Sequence, residues 1–383
     1  MSKNWFEISL CDHWSNQPHG IARVTQNLFI SSLASDNVGY FYYCMKSNRF
    51  VVPRSVDAFK KIAVGEIGFS QDVLPESDDF ESNISAGDRV LITGAGWGLK
   101  CYLENLRELK YHHGAKLACV IYDIIAVHSP QFFLGDFSEL VAGFQREIVS
   151  FSDHVACISR HTEFDVRNFL IGQGAQTTSV FTMGADFPAF QCESIESSKY
   201  SSVSGDFILT VGTIEARKNH LLLYYVMRKL VQQFGDQAPD LVIVGKVGWL
   251  SGDVLELFRR DPLVNSKVHI LNAVNDSELE WFYRESIFTV YPSFYEGYGL
   301  PILESLGRGK ICVCSNTSSM KDINPFEDFT FDPYDPEQAY KIISKLFSDV
   351  QLRLDRERMV LELNFEHSWR DAYCELTSWF DGP

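Results

Sequence analysis

Two stretches in the C-terminal half combine charged side chains with glycine and the expected start of a helix. The first is FILTVGTIEARKNHLLLYY, residues 207–225. The apolar run 207–211 predicts a buried strand, Gly212 a turn, and Asn219, a good N-cap, the start of a helix. Arg217 and Lys218 then stand just ahead of a helix N-terminus. Two cations, free backbone N–H groups and the positive end of a helix dipole make an anion site of the phosphate type. Taken alone, the pair also reads as two solvated loop cations. The second stretch is PSFYEGYGLPILESLGRG, residues 292–309. Here a strand ends at Tyr291–Pro292, a glycine-bearing loop follows, and Pro301 suits the first turn of a helix. Gly297 and Gly299 let a ligand approach the backbone closely. Glu296 falls in the loop and Glu304 is expected in the first helical turn. Too far apart to be helical neighbours, they are expected to face different parts of one ligand. Singly, Glu304 also reads as a carboxylate complementing the helix dipole, and Glu296 as a solvated loop charge.

These residues need strands and helices to position them. Apolar runs at 207–211, 241–245, 268–271, 287–292 and 311–315 alternate with amphipathic helix-length segments. That rhythm predicts a parallel sheet covered on both faces, a doubly wound α/β domain. The N-terminal half repeats it less regularly, with strands expected at 38–43, 89–93, 117–122 and 154–158. The Ser-rich segment 192–206 reads as a linker and plausible hinge. Residues 365–380 place Phe365, Trp369, Tyr373, Leu376 and Phe380 on one helical face. The division is 1–191, linker 192–206, 207–364, and a helix in 365–383 packing back toward the N-terminal domain.

Composition sets bounds. The chain has 383 residues, 45% hydrophobic and 22% charged, which fits two cored domains and excludes disorder, collagen and coiled coil. It has no apolar run of transmembrane length, and its first residues lack a secretory apolar block, so a cytoplasmic protein is expected. A net charge of −16 opposes nucleic acid as a partner. The nine cysteines form no C-x-x-C pair and read as reduced thiols. The adjacent His112 and His113 point to different faces and make no metal pair. In VLITGAGWGLK (90–100) a dinucleotide fingerprint would need glycine at 99, where Leu99 stands.

Together, VGTIEARKNH, LVIVGKVGW, VNDSEL, YPSFYEGYGLPILESLGRG and SNTSSM resemble the retaining GT-B glycosyltransferases, specifically glycosyltransferase family 4, most closely over residues 207–325. Glu296 and Glu304 form its E-x7-E element. The resemblance implies the GT-B fold, two Rossmann-like doubly wound domains facing across a cleft. It implies that Arg217 and Lys218 bind the donor diphosphate, Glu304 the ribose hydroxyls and Glu296 the donor sugar. The backbone at Val274 would meet the nucleobase, and Gly297, Gly299 and Leu300 the phosphate or sugar. Thr213 and Gly245 complete the expected donor set.

By the same resemblance, Gly20, immediately ahead of an amphipathic helix, approaches the donor phosphate. Arg23 either reaches the cleft or is a solvated helix cation. Asp123, at the carboxyl end of a buried strand, either orients an acceptor hydroxyl or makes a structural hydrogen bond. Its neighbour Tyr122 stands where many relatives have histidine, so no basic role passes to it. His128 is an acceptor-site candidate or an ordinary loop histidine, and Ser159 an N-cap. Catalysis would rest on Glu296, Arg217, Lys218 and Asp123. No metal or other cofactor is expected, because the chain has no Asp-x-Asp triplet and cationic side chains can take the diphosphate.

The function expected is transfer of a hexose, with GDP-mannose the best guess, to a glycan or lipid-linked glycan in polysaccharide or lipopolysaccharide biosynthesis. Alternatives are a UDP-hexose or dTDP-rhamnose donor, a fold sibling such as a sugar phosphorylase or epimerase, or a silent glycan-binding scaffold. A peripheral membrane contact through Arg107, Lys110, His112, His113 and Lys116 competes with a solvated helix face.

Overall fold

The computed structural model describes residues 2–14, 20–70, 74–171, 176–184, 203, 205–363 and 367–381. Most of the linker 192–206, and Phe365, lie outside the described residues. The chain divides into two compact units. Met1–Pro130, Gly135–Gly184 and His367–Pro383 form the first, Gln131–Leu134 and Ala185–Glu366 the second.

The first unit is built on β1 (Asn4–Glu7), β2 (Val38–Cys44), β3 (Arg49–Pro53), β4 (Ser77–Asp79), β5 (Arg89–Ile92), β6 (Lys116–Ile121), β7 (His154–Cys157) and β8 (Thr177–Val180). They order as β4-β3-β2-β1-β5-β6-β7-β8. Pairing is parallel from β2 to β8 and antiparallel at β2-β3 and β3-β4. The sequence reading anticipated β2, β5, β6 and β7 and missed β3, β4, β8 and β1, the strand that joins the two halves of the sheet. Its four residues NWFE carry no β-branched run. They are a strand because Trp5, Phe6 and Glu7 are all buried, so the pattern is a covered sheet's rather than an alternating one.

The core around this sheet is aromatic. Trp5, Phe41, Phe50, Phe80 and Tyr102 lie in one buried cluster, with Phe41 and Phe80 stacked at 4.4 Å and Trp5 edge-on to Phe80 at 4.8 Å. The helix Trp369–Thr377 packs on the helix Ile21–Ser32. It starts with a capping box between Ser368 and Asp371, and Arg370 Nη1 donates to the Ser31 carbonyl at 2.7 Å. The chain meets this helix tightly at Gly184, where a Cβ would stand 2.6 Å from the Trp369 ring.

The second unit contains β9 (Phe207–Val211), β10 (Asp240–Val244), β11 (Val268–Leu271), β12 (Phe288–Tyr291), β13 (Cys312–Ser315) and β14 (Thr330–Phe331), all parallel, ordered β11-β10-β9-β12-β13-β14. The chain winds outward from β9 to β11, then returns to the other side of β9 and winds outward again. The order therefore reverses between β9 and β12. Loops leaving the carboxyl ends of those two strands diverge and leave a crevice, where open α/β sheets bind ligands. The two charged stretches identified in the sequence are the segments that follow β9 and β12. The short segment Gln131–Leu134 belongs to this unit because Trp249 Nε1 donates to the Phe132 carbonyl at 2.7 Å and the Phe132 ring stacks on Phe294 at 5.5 Å. The described cysteines are all free thiols.

Candidate active site

The segment after β9 turns at Gly212, whose φ of 145° is open to glycine alone. It is fastened to the loop after β10. Gly212 N donates to the Val244 carbonyl at 2.9 Å, Ile214 N to Lys246 at 2.8 Å, and Gly248 N to Ile214 at 2.9 Å. Gly245 is what lets the two loops close, since a Cβ there would stand 1.9 Å from the Gly212 carbonyl oxygen. Thr213 lies inside this junction. The chain then makes a 3-10 turn, Ala216–Lys218, and enters the helix His220–Phe234.

Asn219 differs from the sequence reading. It makes no side-chain cap but adopts a left-handed backbone, φ 55° and ψ 40°, to which asparagine is well suited. Its Nδ2 donates to the Pro333 carbonyl at 2.8 Å. The corner, not a cap, turns Arg217 and Lys218 inward.

Inside the crevice the two stretches become one site. Lys218 Nζ stands 2.6 Å from Glu296 Oε1 and 2.6 Å from the Tyr291 hydroxyl. Arg217 Nη1 stands 2.8 Å from Glu296 Oε2 and donates to the Tyr295 carbonyl at 2.9 Å, while Nη2 reaches Glu215 Oε1 at 2.7 Å. Neither cation is a solvated loop charge, as their side chains are 17% and 13% exposed and that of Glu296 9%. Burial alone would raise the Glu296 carboxyl. The adjacent Arg217 and Lys218 charges overcome it and lower it to about 2. Burial and the Arg217 charge pull Lys218 below its ordinary value, against Glu296. The short Nζ contact with Glu296 Oε1 favours the ionised pair.

The loop carrying Glu296 is held by hydroxyls of SNTSSM. Glu296 N donates to Ser318 Oγ at 2.9 Å, Ser319 Oγ donates to the Glu296 carbonyl at 3.0 Å, and Thr317 Oγ1 to that of Phe294 at 3.0 Å. Gly299, φ 108°, swings the chain into the helix Leu300–Leu306, with Pro301 in its first turn. Glu304 is the fifth residue of that helix, one turn later than expected, and it is buried. Tyr283 donates its hydroxyl to Glu304 Oε2 at 2.6 Å, and Arg308 Nη1 donates to the Glu304 carbonyl at 2.8 Å. Arg308 is itself paired with Glu280 at 2.6 Å. Gly297 is buried in the loop. Val274, next to the capping-box residue Asn275, packs against the buried cluster that contains Phe282 and Tyr283.

The remaining candidates lie in the first unit. Gly20 precedes the helix Ile21–Ser32 with φ 53°, and Arg23 is in its first turn. Asp123 Oδ1 accepts from Ile125 N at 3.0 Å, a local turn bond. His128 Nδ1 lies 2.9 Å from Ser129 Oγ, with Phe169 edge-on to its ring. Ser159 caps the helix Arg160–Val166 by accepting from Thr162 N at 3.0 Å. The glycines of GAGWG make room for protein: a Cβ on Gly94 would meet the Glu7 carboxylate at 2.9 Å, and one on Gly96 the Tyr102 ring at 2.4 Å. In the basic cluster, Arg107 pairs with Glu147 at 2.6 Å and Lys110 with Asp153 at 2.7 Å, which removes much of its attraction for an anionic surface.

Sequence reasoning missed Glu215, Tyr283 and Tyr291. Glu215 stood in the quoted motif two residues before Arg217, and its sign was the available signal. It also missed Glu7 and a cavity of about 240 Å³ in the first unit, lined by Cys11, Asp12, Tyr42, Tyr43 and Lys46 among others. Among the described residues no three His, Cys, Asp or Glu side chains are grouped to hold a metal ion, and no helix is long and apolar enough to cross a membrane.

Residues 195–359 match the family described as glycosyl transferases group 1. The chain is similar to the serotype-specific mannosyltransferase WbdA of Escherichia coli, 25% identical over 268 residues, covering 67% of this chain and 32% of WbdA. It is also similar to the O-antigen chain mannosyltransferase B of Escherichia coli, 34% identical over 174 residues and 45% of each chain. The match thus spans about a third of WbdA and under half of the second relative. Among solved structures, HepE of Anabaena, in complex with UDP and glucose, superposes with a TM-score of 0.68 at 14% identity over 100% of both chains. Sucrose-phosphate synthase of Thermosynechococcus elongatus gives 0.65 at 16% identity, covering 100% of this chain and 98% of that one. These likenesses establish the GT-B fold. The family match and the mannosyltransferase relatives each resemble part of this chain.

Proposed function

We propose that the chain is a GT-B glycosyltransferase of the O-antigen type that moves a hexose from a nucleotide diphosphate sugar to a glycan or lipid-linked glycan, with retention at the anomeric carbon. The observation that carries this reading is the convergence of Arg217 and Lys218 on Glu296 at the switch point of the second sheet. Departure of a nucleoside diphosphate concentrates negative charge, and two oriented cations in a crevice stabilise that charge as it develops. They act here without a resident metal. Glu304, its Oε2 engaged by Tyr283, presents the rest of its carboxylate to the ribose, and the backbone near Val274 meets the base.

Glu296 is a carboxylate at neutral pH, so it accepts hydrogen bonds from sugar hydroxyls and does not serve as a general acid. Both its oxygens are engaged by cations, which suppresses nucleophilic attack on the sugar. This favours attack on the face the diphosphate leaves: the bond from the anomeric carbon to the phosphate oxygen breaks, that to the acceptor oxygen forms, and the acceptor proton passes to the departing phosphate. The acceptor residues of this reading belong to the N-terminal unit, Asp123 as orienting group and Arg23 and His128 as contacts. The mannosyltransferase relatives favour GDP-mannose. The UDP held by HepE favours a uridine donor as the second reading, and dTDP-rhamnose remains a third. In this reading the protein acts in the cytoplasm, with a peripheral contact at the inner face of the membrane.

The test is thermal stabilisation by GDP, UDP, dTDP, ADP and CMP, with Glu304→Ala alongside. A ligand that binds only the folded form raises Tm with its affinity and concentration. One nucleotide shifting the wild type and not the variant supports the site and fixes the base. No shift from any of them, in folded protein, sinks the reading.

A further inference from the structure

The cation cluster contains more negative charge than the E-x7-E element supplies. Glu215 is buried, 5% exposed, and its Oε1 sits 2.7 Å from Arg217 Nη2. The guanidinium is thus bridged between two carboxylates, Glu215 on one nitrogen and Glu296 on the other. Arg217 and Lys218 contribute two positive charges and Glu215 and Glu296 two negative ones, so the cluster is neutral before any ligand arrives. Glu215 has little freedom to move away. It lies between the Ile214 bridge to Val247 and the 3-10 turn, its carbonyl accepts from Lys218 N at 3.0 Å, and its Cβ is 3.5 Å from where a Cβ on Gly248 would stand.

We infer that Glu215 is a positioning residue that fixes Arg217 and, through it, attenuates the site's affinity for a free nucleoside diphosphate. This rests on reading Arg217 and Lys218 as the diphosphate site. Two unopposed buried cations would hold a product carrying two or more negative charges as firmly as they stabilise its departure. Interactions equal in both states do not speed the chemical step and they slow release. Glu296 can be drawn to the sugar's hydroxyls while a donor is bound. Glu215 has no such second partner among its described contacts, so it offsets the Arg217 charge at every stage and weakens the grip on the product.

The experiment compares wild type, Glu215→Gln and Glu215→Ala by calorimetry with the nucleoside diphosphate selected above and the monophosphate of the same base. Gln keeps an acceptor for Arg217 and removes the charge; Ala removes both. The readout is the ratio of diphosphate to monophosphate affinity, which loss of packing alone does not move. Both variants are expected to raise that ratio, by roughly tenfold for Gln, the equivalent of about 1.4 kcal/mol. An unchanged or lower ratio in Glu215→Gln and Glu215→Ala, with the wild type binding normally, overturns the inference and leaves the donor site standing. No binding of any diphosphate by the wild type overturns both.

Discussion

Tyr283 donates its hydroxyl to Glu304 Oε2 at 2.6 Å, and both side chains are buried. The contact joins the helix Asp276–Glu285 to the helix Leu300–Leu306. It gives one carboxylate oxygen a fixed partner and leaves the other with fewer orientations, which is how a single acidic side chain becomes a directed acceptor.

Tyr283→Phe removes that donor and little volume. The loss of one buried hydrogen bond to a charged group is expected to cost about 2 kcal/mol of stability. Nucleoside diphosphate affinity should fall by roughly tenfold, while a 2′,3′-dideoxy analogue, which has no ribose hydroxyl to present, loses much less. Equal losses for both nucleotides would show that Tyr283 does not orient Glu304 toward a ribose.

Acid stability of the second unit follows from Glu296. Its value of about 2 lies below the ordinary 4.5, so its contribution is complete above about pH 4.5 and is lost as the pH falls toward 2. The difference corresponds to roughly 3 kcal/mol at neutral pH. Glu296→Gln should lose stability of that order at pH 7 and show a flatter decline between pH 5 and 3, followed by denaturant unfolding. Parallel acid profiles for variant and wild type would count against the ion pair.

Glu7 predicts the opposite slope in the first unit. Burial raises its carboxyl, although Ser9, Tyr102, Gly94 and Thr93 all donate to it. A raised folded value means its contribution is full below the ordinary value and declines as the pH rises through the folded one. Glu7→Gln should remove that pH dependence. Glu7→Ala strands the Thr93 and Gly94 N–H groups, which stand 3.1 and 2.9 Å from Glu7 Oε2, at a cost of roughly 3 kcal/mol or more. Hydrogen exchange resolved to this sheet would follow it, and unchanged protection in Glu7→Ala would refute the account.

Gly245→Ala tests the junction behind the cations. Its methyl would meet the Gly212 carbonyl oxygen at 1.9 Å, so β9 and β10 must part at their carboxyl ends. The expected result is a loss of at least 2 kcal/mol together with weakened binding of every nucleotide, because Arg217 and Lys218 move with Gly212. Retained binding at full strength would show that the two loops are not coupled.

Much of the second unit was legible because its strands are buried on both faces. Runs such as FILTV and ICVCS are apolar throughout, and covered parallel strands leave that mark. The charged stretches were legible for a related reason: each directly follows such a strand, and the carboxyl edge is where loops are free to differ. β1 hid because four residues containing Trp and Glu resemble no strand pattern, and Glu7 is a buried residue only because Thr93, Gly94 and Tyr102 meet its carboxylate. Asn219 suggested a cap from its type, but its backbone angles follow from how the turn meets the helix. The sequence determined which residues bear charge and which segments carry them to one sheet edge. Tertiary structure alone decided that Glu215 and Glu296 would meet the same guanidinium, and that Tyr283 would claim one oxygen of Glu304. The pairings of Arg217 with Glu296 and of Tyr283 with Glu304 depend on strand order and loop register across tens of residues, and no local pattern encodes them.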